Sequence, residues 1–324
     1  MFTENRVEHI LTEARPVLVI YDDSYPNVRF FAKQKSIKFS NLKRESNEME
    51  SDNIPDELTL TKGSPDTKAV AMYTSGSSGP PKGVRISHHS LHQRINWQLV
   101  TYPYEESENF CCFKTAINFG DHLAELWCPL IAGKALVVVP RDVSQDTEKM
   151  VSLLEEYKIA RLFGVPSLLR SLLLYVNTSR STENGPALSR LSLWISSGEP
   201  LTIQFATEFF DYFKGGKNIL VNFYGCTETS CEVLFYELVS EQQVKALNRI
   251  PIGTPFFNTI VYILDTPKKP LPEGEIGEIY VAGAFVDDGY INGRDPGAFL
   301  KNSIEPIPRK LQCTFQERLN IFLS

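Results

Sequence analysis

The chain has 324 residues, of which 42% are hydrophobic and 22% charged. That is apolar material enough for one large or two medium globular domains, and it excludes a disordered or low-complexity chain. The formal net charge of -6, with basic residues scattered rather than bunched, excludes a general nucleic-acid binder.

PVLVIY, with its heart at 17–21, is compact and β-branched and predicts a buried strand. The stretch 36–67 is polar, charged and broken by turn residues, and predicts a surface linker. From residue 68 strand and helix alternate. KAVAMY reads as a strand, ISHHSLHQRINWQLV as a helix, ENFCCFKTA as a strand, DHLAELWCPLIA as a helix and ALVVVP as a strand. DTEKMVSLLEEYK is an amphipathic helix started by Asp146 or Thr147. ARLFGV, LSRLSLWIS and NILVNFYG follow as strands, separated by the helices PSLLRSLLLYV and LTIQFATEFFDYF. Such alternation indicates an α/β fold, parallel βαβ layers with helices on the sheet faces. After Cys231 the strands CEVLFYELV, TIVYILD and GEIGEIYVAG have only turns between them, which suggests a smaller β-rich subdomain. The expected organisation is a partial N-terminal strand and helix region (1–35), a polar linker (36–67), an α/β core (68–231), the β-rich subdomain (232–300) and an atypical tail (301–324).

The six cysteines have neither zinc spacing nor the regular spacing of a small disulfide scaffold, so buried reduced thiols are expected. The N-terminus lacks the apolar core of a signal peptide, and ALVVVP is far too short to span a bilayer. No membrane partner is expected, and a cytoplasmic location is the default.

In open α/β sheets ligands bind beyond the carboxyl ends of the strands. Three glycine-rich polar loops fall at such ends. In YTSGSSGPPKGV (73–84), Gly76, Gly79 and Gly83 allow close backbone approach, while Thr74, Ser75, Ser77 and Ser78 supply hydroxyls and Lys82 a point charge for phosphate. It is not a Walker A loop, since no Ser or Thr follows Lys82; composition alone allows an ordinary surface loop equally well. In NFYGCTET (222–229), Tyr224 offers a face to a heterocycle, Thr227 a hydroxyl to phosphate, and Glu228 an oxygen ligand suited to Mg2+. A buried tyrosine before a plain turn is the other reading. ISSGEP (195–200) puts a glycine and a carboxylate at a third strand end. His88, His89 and His92 read as solvated helix surface.

Taken in order, YTSGSSGPPKGV, SSGEP, NFYGCTETS, IPIGTP and GEIGEIYVAG make the chain resemble the adenylate-forming superfamily of acyl-CoA synthetases, luciferases and adenylation domains of nonribosomal peptide synthetases. The family's phosphate loop has the form YTSGSTGxPKGV, from which only Ser78 departs, and YGxTE is met by Tyr224, Gly225, Thr227 and Glu228. The motifs cover 68–299. The resemblance implies that a carboxylate and ATP give an acyl-adenylate and pyrophosphate, and that a thiol or amine then takes the acyl group. It implies that Thr74, Ser75, Gly76, Ser77, Ser78, Gly79 and Lys82 cradle pyrophosphate. Asn222 and Tyr224 would flank adenine with Gly198 and Glu199 nearby, Thr227 would touch the α-phosphate, and Glu228 would hold Mg2+. Lys82, Thr227 and Glu228 are the expected catalytic groups.

In the family, most activators of α-amino acids carry an aspartate at the position of Gly120; here the aspartate is Asp121, one residue later. A shifted aspartate resembles activators of β-amino acids, and the surrounding sequence looks most like the Ebony-type β-alanyl-amine synthases. Asp121 and Ala124 share a helix face, and the alignment adds Phe163, Ile195, Ser197, Phe223, Cys231 and Glu232 to the substrate pocket. A helix N-cap is the alternative role for Asp121. The expected substrate is β-alanine or a close β-amino acid, and the expected acceptor a carrier-protein phosphopantetheine thiol or an amine in a longer parent.

The resemblance also implies a Y-[RK]-T-G-D segment, a hinge and a small C-terminal domain with a catalytic lysine, none matched by IEPIPRKLQCTFQERLNIFLS. A truncated product that adenylates poorly is therefore expected. A non-catalytic nucleotide-binding remnant and a ligase for a fatty or aryl acid are the alternatives; an unpaired Asp121 in an apolar acyl pocket argues against the last.

Overall fold

The computed structural model describes residues 4–21, 35–38, 63–74, 80–179, 186–265, 269–272, 274–286, 289–293, 297–301 and 312–315. The loop residues Ser75, Gly76, Ser77, Ser78 and Gly79, and most of the tail expected at 301–324, lie outside this set. The chain divides into two compact units, residues 1–88 with 289–296, and residues 89–288 with 297–324.

The first unit opens with helix α1 (Glu4–Ala14), for which the sequence analysis gave no bounds. Its apolar residues Val7, Ile10 and Leu11 are few, but they stand at helical spacing. Strand β1 (Leu18–Tyr21) pairs in parallel with β2 (Lys35–Lys38), so the polar stretch expected as a linker from residue 36 begins as a strand. Strands β3 (Lys68–Thr74) and β4 (Lys82–Ser87) form an antiparallel pair around the glycine-rich loop, with Tyr73 opposite Gly83 and Thr74 opposite Lys82. The parallel alternation expected here gives way to a hairpin because the connection is too short for a crossover helix. Close packing explains Gly83: a Cβ there would stand 2.7 Å from Ile291 and 2.8 Å from the Tyr73 ring.

In the second unit, most of helix α2 (His88–Thr101) is followed by the parallel pair β5 (Phe110–Phe113) and β6 (Ala135–Val138), joined through helix α3 (His122–Ile131). Helix α4 (Thr147–Glu156) is capped by Asp146, whose side chain accepts from the Lys149 N–H at 3.1 Å. Then β7 (Arg161–Gly164), helix α5 (Pro166–Ser179), β8 (Leu193–Ser196), helix α6 (Ile203–Tyr212, capped by Thr202) and β9 (Ile219–Cys226) build three adjacent parallel strands. All four residues of β7 and of β8 are buried, as expected of central parallel strands covered on both faces. Trp194, Phe205, Phe209, Leu172 and Met150 belong to the core between sheet and helices.

Strand β10 (Cys231–Leu238) reverses on β9 and β11 (Thr254–Pro255) on β10, completing a five-stranded sheet in the order β11-β10-β9-β8-β7. The sequence analysis grouped Cys231–Leu238 with the later strands. The pairing corrects this, since the four-residue turn after β9 folds β10 straight back onto it. The later strands β12 (Thr259–Leu264), β13 (Glu278–Gly283), β14 (Phe299–Lys301) and β15 (Gln312–Phe315) form a separate antiparallel sheet, ordered β12-β13-β15-β14. The α/β class with parallel strands and covering helices is as expected. No described helix is long and apolar enough to cross a membrane.

Candidate functional site

The carboxyl ends of β8 and β9 lie side by side, with Ser196 opposite Asn222. Beyond β8 the Ser197 N–H donates to the Gly164 carbonyl at 3.1 Å, and Gly198 turns the chain with φ +79°. Glu199 is exposed and accepts from the Ser167 N–H (3.3 Å) and hydroxyl (3.2 Å). On β9, Asn222 donates to the Pro251 carbonyl at 2.8 Å. The Tyr224 hydroxyl is buried with no hydrogen-bond partner among the described residues, and burial pushes its ionisation up. An aromatic ring beside two glycine-rich turns fits a heterocyclic ligand.

Thr227 and Glu228 lie in a 3-10 turn, Thr227–Thr229. The Thr229 hydroxyl accepts from the Cys226 N–H (3.3 Å) and stands 2.8 Å from the Cys231 carbonyl, which closes the loop. Burial, then the Glu228 carboxylate, pushes the Cys226 thiol up. Ser230 and Cys231 follow with φ of 54° and 86°. Gly225 is required by this reversal: a Cβ there would run into the Cys231 carbonyl and the Glu232 backbone. Among the described residues no group of three or more His, Cys, Asp or Glu could by itself hold a metal ion. Glu228 would thus be one ligand beside phosphate oxygens, a coordination magnesium tolerates.

Asp121 stands at the N-cap position of α3, yet its backbone is helical (φ -55°, ψ -24°) and its side chain caps nothing. That removes the cap reading. Instead its carboxyl accepts a short hydrogen bond from the Ser197 hydroxyl and is hydrogen-bonded to Glu232. Burial, and then the Glu232 charge, pushes Asp121 well above the usual carboxylate range, so of the two carboxyls Asp121 holds a proton the more tightly. Burial alone would raise Glu232 as well, but the Arg94 charge and the hydrogen bonds from Asp121 and Arg94 together hold that carboxylate low. Helix α3 also supplies Glu125, which accepts from the backbone N–H groups of Lys114 (3.0 Å) and Thr115 (2.8 Å) and pins the segment leading to Asp121.

The sequence-derived pocket residues Ala124, Phe163, Ile195, Ser197, Phe223, Cys231 and Glu232 are all buried in this unit. Phe163 and Phe223 meet edge to face at 6.2 Å. The side-chain space of Gly120 is taken: a Cβ there would collide with the Cys231 sulfur.

Lys82 and Thr74 sit in the first unit, where the Lys82 ammonium lies 5.0 Å over the Tyr290 ring. His88, His89 and His92 are exposed, as expected.

Two polar residues escaped the sequence analysis. Arg94 donates to Glu232 Oε2 through Nε (3.0 Å) and Nη2 (2.7 Å), and through Nη1 to Gln98 Oε1 (2.8 Å). Their signal was present: Leu91, Arg94, Ile95 and Gln98 follow i, i+3, i+4, i+7 spacing, which puts Arg94 and Gln98 on the buried face.

The profile of AMP-binding enzymes matches residues 1–291, starting ahead of the first sequence motif. The chain belongs to the AMP-binding enzyme family. It is 44% identical over 303 residues to the beta-alanyl-bioamine nonribosomal peptide synthetase ebony of Drosophila melanogaster, covering 94% of this chain and 34% of that protein. To vanchrobactin synthetase VabF of Vibrio anguillarum it is 31% identical over 294 residues, covering 90% of this chain and 10% of that protein. The N-terminal subdomain of Klebsiella oxytoca NpsA, solved in complex with 3-hydroxybenzoyl-AMSN, shares the fold: TM-score 0.72 at 24% identity, over 98% of this chain and 74% of that one. The chain thus spans about a third of the ebony protein and a tenth of VabF.

Proposed function

We propose that the chain activates a β-amino acid, in first place β-alanine, as its acyl-adenylate at the expense of ATP. The observation that carries this reading is Asp121: a buried carboxyl that caps nothing and is held toward Ser197 and Glu232. A carboxyl in such surroundings suits a primary ammonium, because a buried charge needs a counter-charge. The one-residue shift from Gly120 to Asp121 supports the β-amine, since position 120 has no room for a side chain against Cys231. The beta-alanyl-bioamine nonribosomal peptide synthetase ebony, 44% identical to this chain, points the same way.

In this reading the substrate carboxylate attacks the α-phosphorus and pyrophosphate leaves. Lys82, Thr74 and the loop 75–79 take the phosphates; Asn222, Tyr224, Gly225, Gly198 and Glu199 take the adenosine end; Thr227 meets the α-phosphate and Glu228 a magnesium ion. The protein contributes position and charge rather than covalent chemistry. A carrier-protein phosphopantetheine thiol or an amine then receives the acyl group, and the cytoplasm, where ATP is abundant, is the setting.

Binding of β-alanyl sulfamoyl-adenosine, a non-reacting mimic of the adenylate, tests the reading without requiring turnover. The chain should bind it at least about tenfold more tightly than the L-alanyl analogue, the discrimination expected when a buried carboxyl loses its ammonium partner. Equal or tighter binding of the L-alanyl analogue overturns it.

A further inference from the structure

We propose that Arg94, backed by Gln98, is a positioning residue of the acid pocket: by gripping Glu232 it leaves Asp121 as the carboxyl that meets a substrate ammonium. The inference rests on the β-amino-acid reading above and adds to it the charge balance of the site.

Arg94 and Glu232 are 138 residues apart in the chain, with side chains only 1% and 7% exposed. Both Arg94 bonds go to the same carboxylate oxygen, and the guanidinium lies 5.5 Å from the centres of the Phe223 and Phe256 rings. A buried pair of this kind adds little stability over apolar residues of equal volume, so stability does not account for it. Its electrical effect does. While Asp121 holds its proton, Arg94 and Glu232 balance and the cluster is neutral. When an ammonium enters and the Asp121 proton leaves to solvent, the pocket is neutral again. Substrate binding therefore replaces one positive charge by another and leaves no net charge buried.

The two thiols around the pair stay out of this exchange, while the Glu125 charge adds to the rise of Asp121. Burial holds the Cys128 thiol at about 11 and the Cys231 thiol well above its ordinary value, so both remain neutral near pH 7. Glu125, on the helix that begins at Asp121, is 3.5 Å from the Lys114 ammonium. Without Arg94, Glu232 would have no cation facing it, and the two carboxyls would hold their protons more tightly.

The test is the pH dependence of β-alanyl sulfamoyl-adenosine binding by the whole chain, followed by calorimetry. Wild-type affinity should rise with pH by up to about tenfold per unit while the Asp121 proton is being displaced, then level off. In Arg94→Met the levelling should move up by about one pH unit or more, and affinity at neutral pH should fall roughly tenfold. Arg94→Lys, which keeps the charge but loses the fork, should restore the pH profile while remaining weaker. Arg94→Met/Glu232→Gln has no buried ion to misfold it, and its levelling should move below that of wild type because Asp121 then faces a neutral amide. If Arg94→Met fails to fold, the double variant and Arg94→Lys decide the matter. Folded variants whose pH profiles coincide with wild type overturn the inference and leave the substrate reading intact. A wild-type chain that prefers the L-alanyl analogue overturns the substrate reading, and this inference with it.

Discussion

The Asp121 and Glu232 carboxyls share a hydrogen bond although each residue is only 5% exposed. Two carboxylates cannot both ionise in such contact, and the flanking groups decide which one keeps the proton. Arg94 faces Glu232 and Ser197 faces Asp121, so the proton resides on Asp121.

This arrangement has a signature in stability. Asp121 is raised in the folded state above its ordinary 3.8, so from there upward the native chain binds more protons than the unfolded one. Stability then falls as pH rises. Glu232, held below its ordinary 4.5, acts in the opposite direction, but only on the acid side of that value. Wild type should therefore lose stability relative to Asp121→Asn as pH is raised above the ordinary 3.8 of an aspartate, read by urea unfolding at a series of pH values. A constant difference would mean that Asp121 is ionised in the folded chain.

Gly120 and Cys231 make a second test. Gly120→Asp introduces a side chain where the Cys231 sulfur stands, and should cost about 1–3 kcal/mol in chemical denaturation. Adding Cys231→Gly removes the sulfur and suits the positive φ of 86° at that position, so the double variant should recover most of the loss. Its preference should also move toward the L-alanyl analogue.

Arg161 predicts a purely structural loss. It donates to Glu108 through Nε (2.7 Å), to the carbonyls of Tyr102 (2.8 Å) and Pro103 (3.0 Å), and its guanidinium sits 3.7 Å over the Tyr104 ring. Arg161→Met leaves Glu108 buried and uncompensated and should destabilise the chain by about 3–5 kcal/mol. Pairing it with Glu108→Gln should recover part of that, measured by the denaturation midpoint.

Tyr224 separates ring from hydroxyl. Its hydroxyl is buried and unpaired, so Tyr224→Phe should leave stability unchanged or raise it by up to about 1 kcal/mol. If the ring lies against adenine, Tyr224→Ala should weaken analogue binding by about 1–3 kcal/mol while Tyr224→Phe changes it little. A large loss in Tyr224→Phe would show instead that the hydroxyl holds the ligand.

The parts of this fold that were legible in the sequence are those where local pattern and tertiary burial agree. β7 and β8 are short apolar runs because both their faces are covered, and α4 begins at an aspartate that does cap it. Strand β4 was missed because Pro81 and Gly83 mask its start, and β10 was assigned to the wrong sheet because the change from helix-linked to turn-linked strands falls one strand before the sheet ends. The glycine-rich turns and Asp121 could be found from residue type and order. Arg94 could not be assigned a role that way: its partner is 138 residues distant, and only the packing of α2 against the end of β9 and β10 makes a helix arginine part of the pocket.

The most direct test of the central claim is a crystal structure of the chain with β-alanyl sulfamoyl-adenosine. The account predicts the primary ammonium within hydrogen-bond distance of Asp121, about 2.7–3.2 Å, with Glu232 still on Arg94. An ammonium placed elsewhere, with Asp121 still bound to Glu232 as in the ligand-free pocket, would contradict it.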